Sequence, residues 1–218
     1  MIDPKKLLYV SDLDGTLLDG DGQLSEDSVK RINRLIDKGL NFTIATARNY
    51  DSAYPLLKDL NLKYPVILFN GVYLTELHTG ENLFLSNFIS LDIISKMISL
   101  AEAQKVAPFI YTYGRKHLVY YKEVNNLGAK SYVDIISSDQ RAHKVNEFIF
   151  SDSDQITGFL LIDVSEVLEP IYTELITLYK DALNIYFAPD VSNPHYFWLQ
   201  SFHLGANKGK MLKKMTEY

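Results

Sequence analysis

LLYVSDLDGTLL, residues 7–18, is the stretch from which the fold of this chain is inferred. Its first four residues are apolar and predict a buried strand, and the polar part begins abruptly at Ser11. In open α/β sheets the functional groups lie just beyond the carboxyl ends of the strands. Asp12 and Asp14 fall at that position, and an extended backbone would turn both carboxylates to one side. Gly15 then permits a sharp turn of the chain.

Two neighbouring carboxylates are compatible with more than one role. One ionised carboxylate can attack phosphorus, while the other protonates the leaving oxygen and later activates water. A divalent cation such as Mg²⁺ would relieve their mutual repulsion. The same pair also fits a solvated Asx-turn after a buried strand. A calcium-binding loop is excluded because its sixth position requires glycine, and Leu17 stands there.

The composition narrows the class of protein. The chain has 218 residues, enough for one or two domains, and 47% hydrophobic and 22% charged residues are ordinary for a globular protein. The formal net charge of -5 argues against a nucleic-acid-binding surface. Since cysteine is absent, neither a disulfide framework nor a zinc-thiolate site is available. No apolar run reaches membrane-spanning length and no signal-peptide core is present, so we expect a cytoplasmic protein without a membrane partner.

The first third of the chain alternates strands and helices. A helix is predicted within residues 25–39, because apolar residues recur at helical spacing between an N-capping serine and a glycine. Residues 42–45 and 66–69 predict two more buried strands, with a short helix around 52–60 between them. Together with the strand at 7–10 they imply a parallel, doubly wound sheet.

Polar residues follow the second and third of these strands. Thr46 and Arg48 suit phosphate oxygens, although they also fit a helix cap and a surface ion pair. Asn70 and Gly71 follow the third strand, and this dipeptide is also ordinary turn chemistry. Lys208, near the start of the last predicted helix, can bring an ammonium group to the carboxylates or to a bound phosphate. Alternatively, it is one of several lysines on a solvated helix.

From about residue 82 the pattern changes to hairpins and helices. Two strands are predicted around a turn at Gly114-Arg115, and residues 124–136 and 143–148 are ambiguous. The other predicted elements are helices at 90–104 and 165–180 and strands at 157–164, 184–188 and 196–202. This arrangement suggests a separate α+β layer inserted into the first domain.

Together these segments resemble the haloacid dehalogenase (HAD) superfamily, in its Cof-type branch of phosphatases. The first motif of that family, Asp-x-Asp-Gly-Thr, matches residues 12–16. Its second motif, Ala-Thr-Gly-Arg at a strand end, matches residues 45–48, where Ala47 replaces the usual glycine. An Asn-Gly pair at 70–71 and a Lys-Gly pair at 208–209 complete the match, which extends over the whole chain.

The resemblance implies an α/β fold in which a Rossmann-like HAD core with a parallel sheet carries an inserted cap. Residues 1–82 and 203–218 would form the core, and residues 83–202 would form an α+β cap domain of the C2 type. The cap would close over the site and recognise the leaving group.

The resemblance also implies a magnesium-dependent phosphomonoester hydrolase that acts on a small phosphorylated metabolite through an aspartyl-phosphate intermediate. Asp12 is then the nucleophile, Asp14 the general acid and base, and Lys208 the cation that balances charge. The resemblance also implies that Mg²⁺ is held by the side chain of Asp12 and by the backbone carbonyl of Asp14. The residues expected to bind phosphate or substrate are Leu13, Thr46, Ala47, Arg48 and Asn70.

The fourth motif of the family, Gly-Asp-x-x-Asn-Asp, has no counterpart in this sequence. We therefore expect a chain truncated before that motif, without the further acidic metal ligand, with weakened Mg²⁺ binding and feeble turnover. We also expect a tendency to self-associate through the incomplete core sheet. Two alternatives stay open: a catalytically impaired fragment that binds a ligand or a partner, and a phosphomutase, which shares the nucleophile.

Overall fold

The computed structural model describes residues 6–113, 117–138, 140–151 and 153–217. The chain divides into two compact units, Met1–Ser86 with Gly205–Tyr218 and Asn87–Leu204. Both units combine helices and strands, so the predicted α/β class with an added α+β unit is confirmed. The assignment of the two units as core and cap domains stays a prediction.

The first unit begins with a parallel pair of strands. β1 (Leu8–Ser11) and β2 (Asn41–Ile44) are in parallel register and are joined by α1 (Glu26–Asp37). Ser25 caps this helix, since its side chain accepts a hydrogen bond from the Ser28 N–H. The parallel connection through a helix is that of a βα unit.

A third strand extends this pair. β3 (Val66–Leu68) follows α2 (Tyr50–Leu57), and a parallel bridge between Ala45 and Ile67 places it next to β2. The three predicted strands are therefore adjacent and parallel, and their carboxyl ends lie at one edge. All three residues of β3 are buried.

The chain departs from the predicted pattern after β3. The predicted strand ended at residue 69, but Phe69 and Asn70 have φ of 50° and 55°, a left-handed backbone that cannot continue a strand. A hairpin of β4 (Tyr73–Thr75) and β5 (Asn82–Leu85) follows, antiparallel to β3, instead of the crossover helix of a third βα unit. The doubly wound pattern therefore stops at β3 among the described residues.

The last helix returns to this sheet. α6 (Lys208–Glu217) buries two methionines, and its N-terminal end contacts the turn after β3. The core cluster at this point consists of Ala45, Ile67, Leu74, Met211 and Met215. Full burial of one such side chain contributes about 1.5–3 kcal/mol, so the two methionines stabilise the packing of the helix on the sheet.

The second unit is built on a six-stranded sheet. Its strands are β6 (Phe109–Tyr113), β7 (Leu118–Tyr121), β8 (Ala142–Lys144), β9 (Gln155–Asp163), β10 (Leu183–Pro189) and β11 (Phe197–His203). Their spatial order is β10-β11-β9-β6-β7-β8, and every pair is antiparallel except β7 with β8. The predicted hairpin turn at Gly114-Arg115 lies outside the described residues.

Helices cover both faces of this sheet. α3 (Leu91–Ala103) and α5 (Ser165–Tyr179) share an apolar cluster with Ile110 and Phe159. α4 (Leu127–Ser138) packs its Tyr132 on Phe109, on the opposite face because side chains alternate along a strand. The ambiguous segment 124–136 is therefore mostly helix. Within the described residues, no helix has the length and apolar character needed to cross a membrane.

Candidate active site

The carboxylate of Asp12 is held from two sides at the end of β1. Its Oδ1 accepts a hydrogen bond from the Leu13 N–H at 2.7 Å, and its Oδ2 lies 2.6 Å from Lys208 Nζ. The Leu13 side chain is fully buried and anchors the backbone at this point. An ion pair at this distance restricts the direction of the Asp12 oxygens.

The loop after Asp12 is a tight turn around one carbonyl. The N–H groups of residues 16–18 all donate to the Leu13 oxygen, at 3.2, 2.9 and 3.0 Å. Gly15 has φ of 69°, which glycine adopts without strain, so the chain reverses at the point expected from the sequence. The turn leaves the Asp14 side chain 55% exposed.

Asp14 forms a two-pronged ion pair with Arg48. Arg48 Nη2 lies 2.7 Å from Oδ1 of Asp14, and Nε lies 2.9 Å from Oδ2. The hydrogen bond and the charge of Arg48 lower the pKa of Asp14 from its ordinary value, although partial burial opposes this. The same contact raises the pKa of Arg48. In this arrangement Asp14 is ionised, so it must separate from Arg48 before it can carry a proton.

Thr46 lies at the end of β2 and is completely buried. Its N–H donates to the Ile67 oxygen at 2.9 Å, and its Oγ1 accepts a hydrogen bond from the Arg48 N–H at 3.1 Å. Asn49 caps α2 by accepting from the Ser52 N–H, so the alternative in which Thr46 caps that helix is wrong. Thr46 instead shapes the backbone that presents Arg48.

Ala47, between these two residues, is exposed. The left-handed turn, which we define as Phe69–Gly71, packs against this segment. The Phe69 N–H donates to the Arg48 oxygen at 2.8 Å, and the Asn70 N–H donates to the Thr46 oxygen at 3.1 Å. Asn70 itself is buried, and the turn therefore joins the ends of β2 and β3 through its backbone.

Lys208 is the first residue of α6, and Asn207 caps the helix. Asn207 Oδ1 accepts hydrogen bonds from the N–H groups of Gly209 at 2.9 Å and Lys210 at 3.2 Å. The Lys208 side chain is 33% exposed and that of Asp12 is 43% exposed, so their ion pair is partly solvated. This pair joins two points of the chain that lie 196 positions apart.

The structure thus brings four predicted charged residues to one edge of the sheet: Asp12, Asp14, Arg48 and Lys208. Leu13, Thr46 and Asn70 lie in the backbone beneath them, and Ala47 is adjacent in sequence. Their catalytic and binding roles stay predictions. The close packing of Gly71 on α6 was not predicted from the sequence, because the Asn-Gly signal is local and carries no information about a distant helix.

The donor set is compatible with Mg²⁺. Magnesium ions in proteins are commonly bound through one or two carboxylates, while waters and substrate phosphate complete the octahedron. Asp12 supplies a carboxylate of this kind, and the backbone carbonyl of Asp14 is the second protein oxygen that the resemblance implies. Across the described residues, no group of three or more His, Cys, Asp or Glu side chains is placed to hold a metal ion. The residues therefore fit an ion held largely by water and phosphate oxygens.

Comparisons with known proteins point to one family of hydrolases. Residues 9–218 match the haloacid dehalogenase-like hydrolase family. The whole chain aligns at 24% identity with 77% of a 5-amino-6-(5-phospho-D-ribitylamino)uracil phosphatase, YitU, from Bacillus subtilis. A 67-residue segment, 31% of this chain, is 36% identical to 25% of the pyridoxal phosphate phosphatase YbhA from Escherichia coli.

The fold is also found in solved structures. A haloacid dehalogenase-like hydrolase from Bacteroides thetaiotaomicron superposes with a TM-score of 0.74 over 96% of this chain and 76% of that protein, at 17% identity. At this identity the likeness is evidence for the fold alone. Since the family match extends over residues 9–218, nearly the whole chain, the chain belongs to the haloacid dehalogenase-like hydrolases, as a Cof-type member.

Proposed function

We propose that this chain is a magnesium-dependent phosphomonoester hydrolase that acts on a small phosphorylated metabolite and uses Asp12 as its nucleophile. The observation that carries the proposal is the pair of adjacent ionic contacts, Lys208 with Asp12 and Arg48 with Asp14. One acid is thereby oriented beside a cation, and the second acid stands two residues away. The substrates named in two aligned relatives, both small phosphorylated molecules, support the proposed substrate class.

In the first step, an Asp12 oxygen attacks phosphorus and the bond between phosphorus and the ester oxygen breaks. The products are an aspartyl phosphate and the leaving alcohol. Little covalent help is needed in such a transfer, so positioning and charge balance carry most of the catalysis. Lys208 serves both, because its ammonium group stands where the negative phosphoryl oxygens would arrive next to Asp12.

Asp14 carries the proton in both steps. Protonated Asp14 donates to the leaving oxygen, and the resulting carboxylate then takes a proton from the water that attacks the aspartyl phosphate. Inorganic phosphate leaves, and the Asp12 carboxylate is restored. Because Arg48 stabilises the ionised form of Asp14, the first role requires that the Arg48 contact be released or redirected toward the substrate.

Mg²⁺ would be held by Asp12 and Asp14, and when bound it supplies positive charge that offsets the charge of the phosphoryl oxygens. The residues proposed to contact phosphate or substrate are Leu13, Thr46, Ala47, Arg48 and Asn70. Because Thr46 is buried, its role is to support the loop that carries Arg48: its Oγ1 accepts a hydrogen bond from the Arg48 N–H.

The test is a phosphatase screen of the full chain with sugar phosphates, nucleotides and pyridoxal phosphate in the presence of Mg²⁺. We expect release of inorganic phosphate by the parent protein and none above background by Asp12→Asn, which keeps the size of the side chain but removes the nucleophile. Equal release by both proteins would refute the mechanism. Transfer of phosphate to another hydroxyl without release would instead identify a phosphomutase.

A negative screen would have a different meaning. If the parent chain releases no phosphate from any substrate yet binds one of them in calorimetry, it acts as a binding module of this family. One observation favours this binding function: among the described residues, no group of three or more His, Cys, Asp or Glu side chains is placed to hold a metal ion.

A further inference from the structure

The left-handed turn Phe69–Gly71 is an unusual piece of backbone. Its three residues have φ of 50°, 55° and 90° in succession. Glycine adopts such angles freely, asparagine tolerates them, and a bulky residue such as phenylalanine adopts them only when its surroundings require it. Strained backbone of this kind persists where neighbouring structure holds it, and such places are often functional.

Two hydrogen bonds hold the turn on one side. The N–H groups of Phe69 and Asn70 donate to the carbonyl oxygens of Arg48 and Thr46. Phe69 and Asn70 are both buried, which protects these bonds from water. The turn is thus a rigid extension of the loop that presents Arg48 to Asp14.

The other side of the turn meets the beginning of α6. A Cβ atom added at Gly71 would overlap the carbonyl carbon of Asn207, and it would lie 2.5 Å from the Asn207 oxygen and 2.8 Å from the Lys208 nitrogen. These atoms belong to the backbone, so they cannot move aside as the end of a flexible side chain can. The first peptide of α6 therefore lies where only glycine at position 71 leaves room for it.

This contact lies at the end of α6 that carries Lys208. Met211 and Met215 fix the later turns of the helix in the core cluster with Ile67. Extra bulk at Gly71 would consequently displace the N-terminal end while the rest of the helix stays anchored. The 2.6 Å contact between Lys208 Nζ and Asp12 Oδ2 would be lengthened or lost.

We propose that Gly71 is a positioning residue, which sets the place of Lys208 next to Asp12 by allowing the Asn207–Lys208 peptide to rest on the left-handed turn. Gly71 touches no reacting atom in this proposal and acts through Lys208. Its effect on turnover rests on the proposed function, whereas its effect on the ion pair does not.

The variant that tests this is Gly71→Ala, with Gly80→Ala as its matched control. Gly80 also has a left-handed φ, 72°, but the three atoms nearest to its added Cβ belong to the side chain of Tyr50, the closest at 3.1 Å. Both variants carry similar backbone strain, and only one disturbs α6. We expect Gly71→Ala to lower kcat about 100-fold, as misplacement by about 1 Å does, while KM changes much less. Gly80→Ala should stay within about twofold of the parent.

A double-mutant cycle separates positioning from a general effect on the fold. If Gly71 acts through Lys208, adding Gly71→Ala to Lys208→Met should cost less than about threefold further in kcat, because the target of the effect is already gone. If the double variant instead loses kcat by the product of the two separate factors, the proposal is overturned. A fall in kcat in Gly80→Ala as large as that in Gly71→Ala would do so as well.

The distance between Lys208 and Asp12 tests the positioning role of Gly71 independently of activity. In a crystal structure of Gly71→Ala we expect Lys208 Nζ to lie more than about 4 Å from the Asp12 carboxylate, beyond ion-pair distance. An unchanged ion pair would refute the proposal. If the parent protein hydrolyses no substrate, the proposed function fails while this measurement still tests the role of Gly71.

A second variant covers the case in which Gly71→Ala does not fold. Gly71→Asn introduces a residue that tolerates left-handed backbone, yet it carries a Cβ at the same position as Gly71→Ala does. We expect it to fold and to show the same displaced Lys208. If neither variant folds by circular dichroism, Gly71 is a residue required for folding and the positioning role is wrong.

Discussion

Replacement of Lys208 by methionine should separate catalysis from stability. Methionine keeps most of the length of the side chain and removes its charge. The Lys208 and Asp12 side chains are 33% and 43% exposed, so water screens their ion pair and its loss should cost about 0–1 kcal/mol of unfolding free energy. For a chain of this size that corresponds to a fall in Tm of at most about 4 °C.

The loss of catalysis should be much larger. Lys208 Nζ stands 2.6 Å from the proposed nucleophile, where charge develops during phosphoryl transfer. Removal of one such preorganised group costs about 100- to 1000-fold in kcat, or about 2.7–4 kcal/mol of transition-state stabilisation. The expected result is therefore a barrier change that exceeds the stability change several-fold.

The assay is steady-state phosphate release together with thermal unfolding followed by circular dichroism. Lys213→Met is the control, because Lys213 is an exposed lysine on the same helix. It should leave kcat within about twofold and Tm within about 2 °C of the parent. A Lys208→Met protein with undiminished kcat would refute the assigned role, and so would a loss of Tm large enough to explain the loss of turnover by unfolding.

Two further predictions concern the protonation of the site and its metal. Arg48 lowers the pKa of Asp14, so Arg48→Gln should raise that pKa. Since the first step needs protonated Asp14, the decline of kcat/KM with rising pH should begin at a higher pH in the variant than in the parent. An unchanged pH profile would contradict the acid role of Asp14. Chelation of divalent cations by EDTA should abolish turnover and added Mg²⁺ should restore it, whereas full turnover in EDTA would show that the proposed site at Asp12 and Asp14 needs no metal.

The local signals in the sequence were sufficient for the first part of the fold. Apolar runs that end in polar residues predicted β1, β2 and β3, because buried parallel strands have this composition. The ends of these strands placed Asp12 and Arg48 at one edge, and the structure confirms that they lie there with Asp14. Here the residue types, the period and the chain order all pointed to one arrangement.

Tertiary contacts decided what the sequence did not show. Phe69 has a side chain typical of strands, and nothing nearby announces its left-handed backbone, which depends on hydrogen bonds to the Thr46–Arg48 segment. The ambiguous region before β8 forms α4, whose Tyr132 is buried against Phe109 and Trp198. The buried residues Ala129, Tyr132 and Ile136 do recur at helical spacing. The exposed Leu127 and Ile135 add apolar residues outside that face, and they obscure the period in the sequence.

The order of the two compact units along the chain has a consequence for folding. The unit Asn87–Leu204 is continuous, whereas the other unit needs both Met1–Ser86 and Gly205–Tyr218. Bringing Asp12 and Lys208 together from an open chain means closing a loop of 196 positions, at an entropic cost of about 5 kcal/mol. Once the inserted unit has folded, that loop is already compact and the cost is smaller. The ion pair at the site is thus expected to form late on the folding pathway, after the inserted unit, although Asp12 precedes that unit in the chain.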